Sequence, residues 1–161
     1  GVDAHAHKQN LFGFFEVEIF PYKVLFKSIH THVFLQEPLL KGNSKQKLAK
    51  SKAAIYEALA YGRSFIANDY HASSKGFQFL AKSGKKKYYM GDYIDFSDKI
   101  TLYVTLPVQN AEIKFIRNGK EIADFSSDKA EFEVTKAGVY RVEVRYFNKA
   151  WIYSNHIRIG V

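Results

Sequence analysis

The 161-residue chain is 47% apolar and 25% charged, the proportions of a folding globular protein rather than a disordered one. It contains no cysteine, which excludes disulfide scaffolds, thiolate zinc sites and cysteine nucleophiles and leaves histidine and carboxylate as the metal ligands available. A net charge of +8 raises nucleic acid as a partner, while no run is long and apolar enough to span a bilayer.

The chain begins with Gly1 rather than Met, so the natural N-terminus is expected to lie upstream. Gly1-Val2-Asp3-Ala4-His5-Ala6-His7 sets a carboxylate and two imidazoles at alternate positions. On extended backbone, alternate side chains share a face, so Asp3, His5 and His7 can converge. Such donors suit Zn²⁺, Mn²⁺ or Fe ions that activate a water. The motif is short, and exposed polar residues would give the same pattern. Phe12, Phe14, Phe15, Phe20 and Tyr22 then read as core or interface of a larger unit, with a ligand platform as second choice. His30-Thr31-His32 mimics an H-x-H metal pair. A histidine leading into a strand is more often hydrogen-bonded or solvent-facing, and that reading is preferred.

Thr31–Leu35 reads as a strand, and a helix is expected from about Lys45 to Tyr61. Asn43 is the expected cap, with Gln46 reaching back as a capping box requires. Leu48, Ile55 and Leu59, joined by small Ala58, would form the inward face, and Gly62 would close the helix in a left-handed conformation. A short strand over Ser64–Ala67 follows, so strand, helix and strand suggest the closing unit of an α/β sheet. Arg63 and Asp69 flank that strand; Arg63 could meet a phosphate, but an ion pair or helix-end charge is preferred. Lys41, Lys45, Lys47, Lys50 and Lys52 form one basic cluster and Lys82, Lys85, Lys86 and Lys87 another. Without arginine or a recognisable module, these read as solvated surface, and nucleic acid is not the favoured partner.

From Ser74 onward, nearly every segment alternates as strands do. Phe77–Leu80 and Lys87–Met90 are short examples; Ile100, Leu102, Val104 and Leu106 point one way while Thr101, Tyr103 and Thr105 point the other. Ala111, Ile113 and Phe115 alternate likewise before Asn118-Gly119, a strong hairpin signal. Ala130, Phe132 and Val134, then Tyr140, Val142, Val144 and Tyr146, then Trp151, Tyr153, Ile157 and Ile159 complete seven or eight short strands. Their count and spacing match an immunoglobulin-like sandwich. Tyr140 lies at the start of a strand, two residues before the position that immunoglobulins fill with Cys and that Val142 fills here.

The order and spacing of short motifs resemble the C-terminal region of PHP (polymerase and histidinol phosphatase) domain proteins, specifically metal-dependent phosphoesterases with a trailing β-sandwich. The matching residues are Gly1-Val2-Asp3-Ala4-His5, Ile19-Phe20-Pro21-Tyr22, Thr31-His32-Val33, Glu57-Ala58-Leu59 with Gly62-Arg63-Ser64-Phe65, Gly76-Phe77 and Met90-Gly91-Asp92. Near the end come Gly138-Val139-Tyr140-Arg141-Val142-Glu143-Val144 and Trp151-Ile152-Tyr153-Ser154-Asn155, so the resemblance spans essentially the whole chain. D-x-H-x-H also occurs where barrel metallohydrolases begin, but a complete barrel needs about 200 or more residues. The resemblance instead implies that Asp3 and His5 belong to the last metal-binding step of a barrel whose opening H-x-H and intervening His and Glu ligands lie elsewhere. It also implies a cluster of two or three divalent ions (Zn, Mn or Fe) and hydrolysis of a phosphoester by a metal-bound hydroxide.

The expected fold class is therefore α+β: residues 1–70 as the tail of a PHP-type β/α barrel, then residues 71–161 as an immunoglobulin-like antiparallel sandwich. The intact parent would take a phosphoester. The chain by itself would bind no metal tightly, hydrolyse little and self-associate through its exposed barrel face. The alternative is a non-catalytic sandwich that binds a glycan or protein partner, with Tyr88, Tyr89, Tyr93 and Trp151 as its aromatic surface.

Overall fold

The computed structural model describes residues 2, 4–96 and 99–161. Its first elements are a hairpin of β1 (His7–Leu11) and β2 (Phe15–Ile19), and one helical turn, α1 (Tyr22–Leu25), entered through Pro21. Strand β3 (Ile29–Val33), helix α2 (Lys45–Ala60) and strand β4 (Ser64–Asn68) follow. Next come β5 (Gln78–Ser83), β6 (Lys86–Tyr89), β7 (Tyr93–Ile94) and β8 (Ile100–Thr105). The chain continues with β9 (Glu112–Arg117), β10 (Lys120–Ser126), β11 (Lys129–Val134), β12 (Gly138–Tyr146), β13 (Lys149–Ser154) and β14 (Ile157–Ile159). Among the described residues, no helix is long and apolar enough to cross a membrane.

Two sheets share one apolar core, so the molecule is predominantly an antiparallel β-sandwich. One sheet has the order β11-β8-β5-β6; the other runs β10-β9-β12-β13-β4-β3, with β14 beside the first half of β12 and β7 parallel to β14. The alternation expected from the sequence sets the inward faces. Ile100, Leu102 and Val104 of β8, Ile113 and Phe115 of β9, and Tyr140, Val142 and Val144 of β12 are all buried. Asn118 and Gly119 join β9 to β10 with φ of 50° and 81°, the positive pair a type I′ hairpin turn requires. The Tyr140 hydroxyl donates to the Lys136 carbonyl four residues upstream, the tyrosine corner of immunoglobulin-type sandwiches.

Simple alternation fails in β13. Trp151 and Tyr153 stand two apart in β13, yet Trp151 is buried and Tyr153 is exposed. Val144 pairs with Ile152 while Arg145 pairs with Ala150, so Trp151 is the extra residue of a β-bulge. The bulge lets Trp151 and its neighbour Ile152 both face inward.

The strand–helix–strand unit also differs from expectation. β3 and β4 are antiparallel, with His32 opposite Phe65, and β4 is antiparallel to β13, with Ala67 opposite Ile152. They therefore extend the sandwich sheet, whose hydrogen bonding runs across residue 70. The reason lies in residues 34–63, which leave and return to the same place: the Phe34 amide donates to the Arg63 carbonyl at 2.8 Å. Ser44, not Asn43, caps α2, its side chain accepting from the Lys47 amide at 3.3 Å. Gln46 then falls one position short of a capping box. Ala58 is the buried residue of the helix, flanked by half-buried Ser51, Ala54 and Ile55, while Leu48 and Leu59 are exposed. The helix ends as expected: Gly62 (φ 75°) donates to Leu59 and Arg63 donates to Ala58, the Schellman pattern.

Three of the motifs that carry the family resemblance meet at this helix end. Gly91 packs so closely that a Cβ there would lie 1.6 Å from the Tyr61 carbonyl oxygen, and its amide donates to His156. A Cβ on Gly62 would touch the Asn155 amide, whose backbone N–H donates to Ser64. Gly62 and Gly91 thus hold α2, the β6–β7 turn and the β13–β14 link together.

Candidate metal centre

Side chains two apart on a strand point the same way, so β3 aims both His30 and His32 at one side of the sheet edge. Asp69 stands just beyond the end of β4, held there by its amide donating to the Ser28 carbonyl at 2.8 Å. The antiparallel register brings these three together across 37 to 39 residues of sequence. Nδ1 of His30 lies 2.9 Å and Nε2 of His32 lies 2.8 Å from the same carboxylate oxygen, Oδ2 of Asp69. The other oxygen, Oδ1, accepts from the Ser74 amide at 2.9 Å and the Ser74 hydroxyl at 2.7 Å. Each imidazole is oriented from behind. His30 Nε2 donates to the Phe26 carbonyl at 2.7 Å, and the His32 ring stacks on buried Phe65 with centroids 4.6 Å apart. The loop carrying Asp69 and Ser74 is pinned to the core by the Trp151 indole, which donates to the Ala72 carbonyl at 2.9 Å.

The electrostatics follow from these bonds. Burial works against the charge on Asp69, but the Ser74 hydroxyl and amide and both imidazoles outweigh it and hold the pKa down to about 2. His30 is pushed above its ordinary value, first by its bond to Asp69 and then by the Phe26 carbonyl. Both of its ring nitrogens face acceptors, an arrangement that the imidazolium satisfies.

The geometry is not that of a serine nucleophile. Ser74 is fully buried and its hydroxyl proton goes to Asp69, while His32 shows the same nitrogen, Nε2, to Asp69 and, at 3.1 Å, to Ser74. A relay needs the two imidazole nitrogens to serve different partners. What the arrangement does offer is two nitrogens and one oxygen, all within 4.8 Å of one another, a donor set that could hold a divalent ion.

Of the N-terminal residues singled out in the sequence, Asp3 lies outside the described residues. His5 and His7 are exposed, with their rings stacked at 5.5 Å. Among the described residues, neither belongs to a group of three or more such ligands. Arg63 pairs with Asp92 at 3.6 Å and lies over the Tyr61 ring. Trp151 is 1% exposed and cannot serve as an aromatic binding surface, although Tyr89 and Tyr93 remain half exposed. Lys82 and Lys86 lie over the Tyr103 and Tyr88 rings, and the Lys47 ammonium donates to the Lys41 carbonyl, so part of each lysine cluster is engaged locally. No protein-family model matches the chain, and no curated protein is similar to it.

The sequence had signalled the His30–His32 pair but not its carboxylate. In the sequence Asp69 stands nearest to Arg63 among its charged neighbours across β4, and nothing local links it to β3. An aspartate one residue past a strand that pairs with an H-x-H strand is the signal that would have found it.

Proposed function

We propose that this chain forms the C-terminal portion of a metal-dependent phosphoesterase of the polymerase and histidinol phosphatase type, with an immunoglobulin-like sandwich trailing the catalytic barrel. Since β3 and β4 are built into the sandwich sheet, the barrel's tail in this reading is the stretch up to about residue 28. Asp3 and His5 contribute to a cluster of two or three divalent ions whose remaining His and Glu ligands precede Gly1. When bound, such ions activate a water and stabilise the charge that develops on the phosphoryl oxygens. The task of this chain is to supply two ligands on an arm fixed in place by the barrel and the sandwich.

The observation that carries the reading is the state of that arm. Leu11, Phe12, Phe14, Phe15, Phe20 and Phe26 are all exposed, as is every residue from His7 to Phe20. A contiguous apolar surface of this kind marks a face made for a partner. In this reading that partner is the preceding barrel.

The test is the reading frame upstream of Gly1. It should encode an H-x-H pair followed by further His and Glu ligands. The extended protein should hydrolyse bis(p-nitrophenyl) phosphate with Mn²⁺ or Zn²⁺, and Asp3→Asn and His5→Ala should each lower kcat/KM by at least about tenfold. A gene that starts at Gly1, or hydrolysis indifferent to both substitutions, overturns the proposal.

A further inference from the structure

We infer that His30, His32 and Asp69 form a second cation site, separate from Asp3 and His5, which takes a borderline divalent ion of the Zn²⁺ class and clamps the edge strand β3 to the loop entering β5. This does not depend on the phosphoesterase reading, because it uses none of the N-terminal ligands.

Four features of the site point to an ion rather than to a hydrogen-bonded latch alone. Two imidazole nitrogens converge on one carboxylate oxygen at 2.8 and 2.9 Å, and the three donor atoms all lie within 4.8 Å of one another. Zinc sits about 2.0–2.2 Å from such donors, and tetrahedral ligands are then roughly 3.3 Å apart, so each nitrogen–oxygen separation need open by only about half an ångström. The second oxygen of Asp69 is held by two bonds from Ser74, which leaves Oδ2 aimed at the imidazoles. His30 offers Nδ1 because its Nε2 is committed to the Phe26 carbonyl, and a ligating histidine usually has its far nitrogen fixed in this way.

The donor chemistry selects the class of ion. Two imidazoles and one carboxylate suit Zn²⁺, Co²⁺ or Ni²⁺, whereas Mg²⁺ and Ca²⁺ prefer oxygen donors throughout. Access is also provided. The His30 side chain is 41% exposed and that of His32 33%, so the cluster opens to solvent on the His30 side. With three protein ligands, water or an exogenous ligand would complete the coordination. An ion at this point would join β3, the outermost strand of its sheet, to a loop already fastened to the core by Trp151.

The experiment uses the 161-residue chain with Asp3→Asn, His5→Ala and His7→Ala, which removes the N-terminal ligands. ZnCl₂ is titrated calorimetrically after chelator treatment, and Co²⁺ is followed by its visible absorption. One equivalent of Zn²⁺ should bind, Co²⁺ should show the intense bands of a low-coordinate nitrogen–oxygen site, and the melting temperature should rise with metal concentration. Adding His30→Ala, which alters an exposed side chain and should leave the circular dichroism spectrum unchanged, should weaken binding at least about tenfold. Asp69→Asn should do the same. The inference is overturned by absence of saturable Zn²⁺ binding, or by binding that His30→Ala leaves intact.

Discussion

Phe12 and Phe14 stand 88% and 87% exposed at the turn of the β1–β2 hairpin, whereas Phe77, Phe79 and Phe115, no more apolar, are at most 2% exposed in the sandwich core. β2 alternates in sequence as the sandwich strands do, and both regions form antiparallel strands. They differ in whether a second layer covers them. The sandwich strands bury one face against an opposite sheet, while the hairpin is a separate two-stranded sheet. Two strands without a covering layer are marginal in water. Apolar patterning thus makes the strand, and burial depends on a partner that the sandwich contains and the arm does not.

This contrast can be sharpened by substitution. The largest effect should come from Gly91→Ala, whose Cβ would meet the Tyr61 carbonyl at 1.6 Å on a backbone with φ of 89°. The variant should be recovered unfolded or not at all, as judged by soluble yield and circular dichroism. Trp151→Ala should follow, at about 3–5 kcal/mol in urea unfolding, because it empties the core and frees the Ala72 carbonyl. Tyr140→Phe removes the tyrosine-corner bond to Lys136 and should cost about 1–2 kcal/mol in the same assay.

The polar cluster should add a smaller, pH-dependent effect. Asp69 titrates near 2 in the folded chain against an ordinary 3.8, so its contribution is complete above pH 3.8 and is lost as the pH falls towards 2. His30 is shifted upwards from 6.5, so its contribution is complete below that pH and is lost as the pH rises through the raised value. Allowing for solvent screening, the acid limb should be of order 1 kcal/mol. It should be missing from a melting-temperature profile of Asp69→Asn. The smallest effect belongs to the arm: Phe12→Ser with Phe14→Ser should change the unfolding free energy by no more than about 0.5 kcal/mol. The same pair should reduce self-association measured by light scattering.

Much of the sandwich was legible because its signals are local. Period-two alternation marked β8, β9 and β12, Asn118-Gly119 marked a hairpin, and Gly62 marked the end of α2. What escaped depends on neighbours distant in sequence. The Trp151 bulge is visible only in the pairing with β12. The inward side of α2 keeps the expected Ile55 and Ala58 but adds Ser51 and Ala54 and leaves Leu48 and Leu59 exposed. The antiparallel setting of β3 and β4 arises from the return path of residues 34–63. Asp69 meets His30 and His32 only through that setting, so an H-x-H pair visible in the sequence acquired its third donor from the fold.

Amide hydrogen exchange tests the contrast between arm and sandwich most directly. In the 161-residue chain, the amides of β1 and β2 should exchange at nearly unprotected rates, while those of β8, β9 and β12 exchange only through global unfolding. In the protein extended upstream of Gly1, the hairpin amides should gain protection comparable to that of the sandwich. Equal protection of the hairpin in both proteins, whether high or low, would contradict the view that the arm is completed by what precedes it.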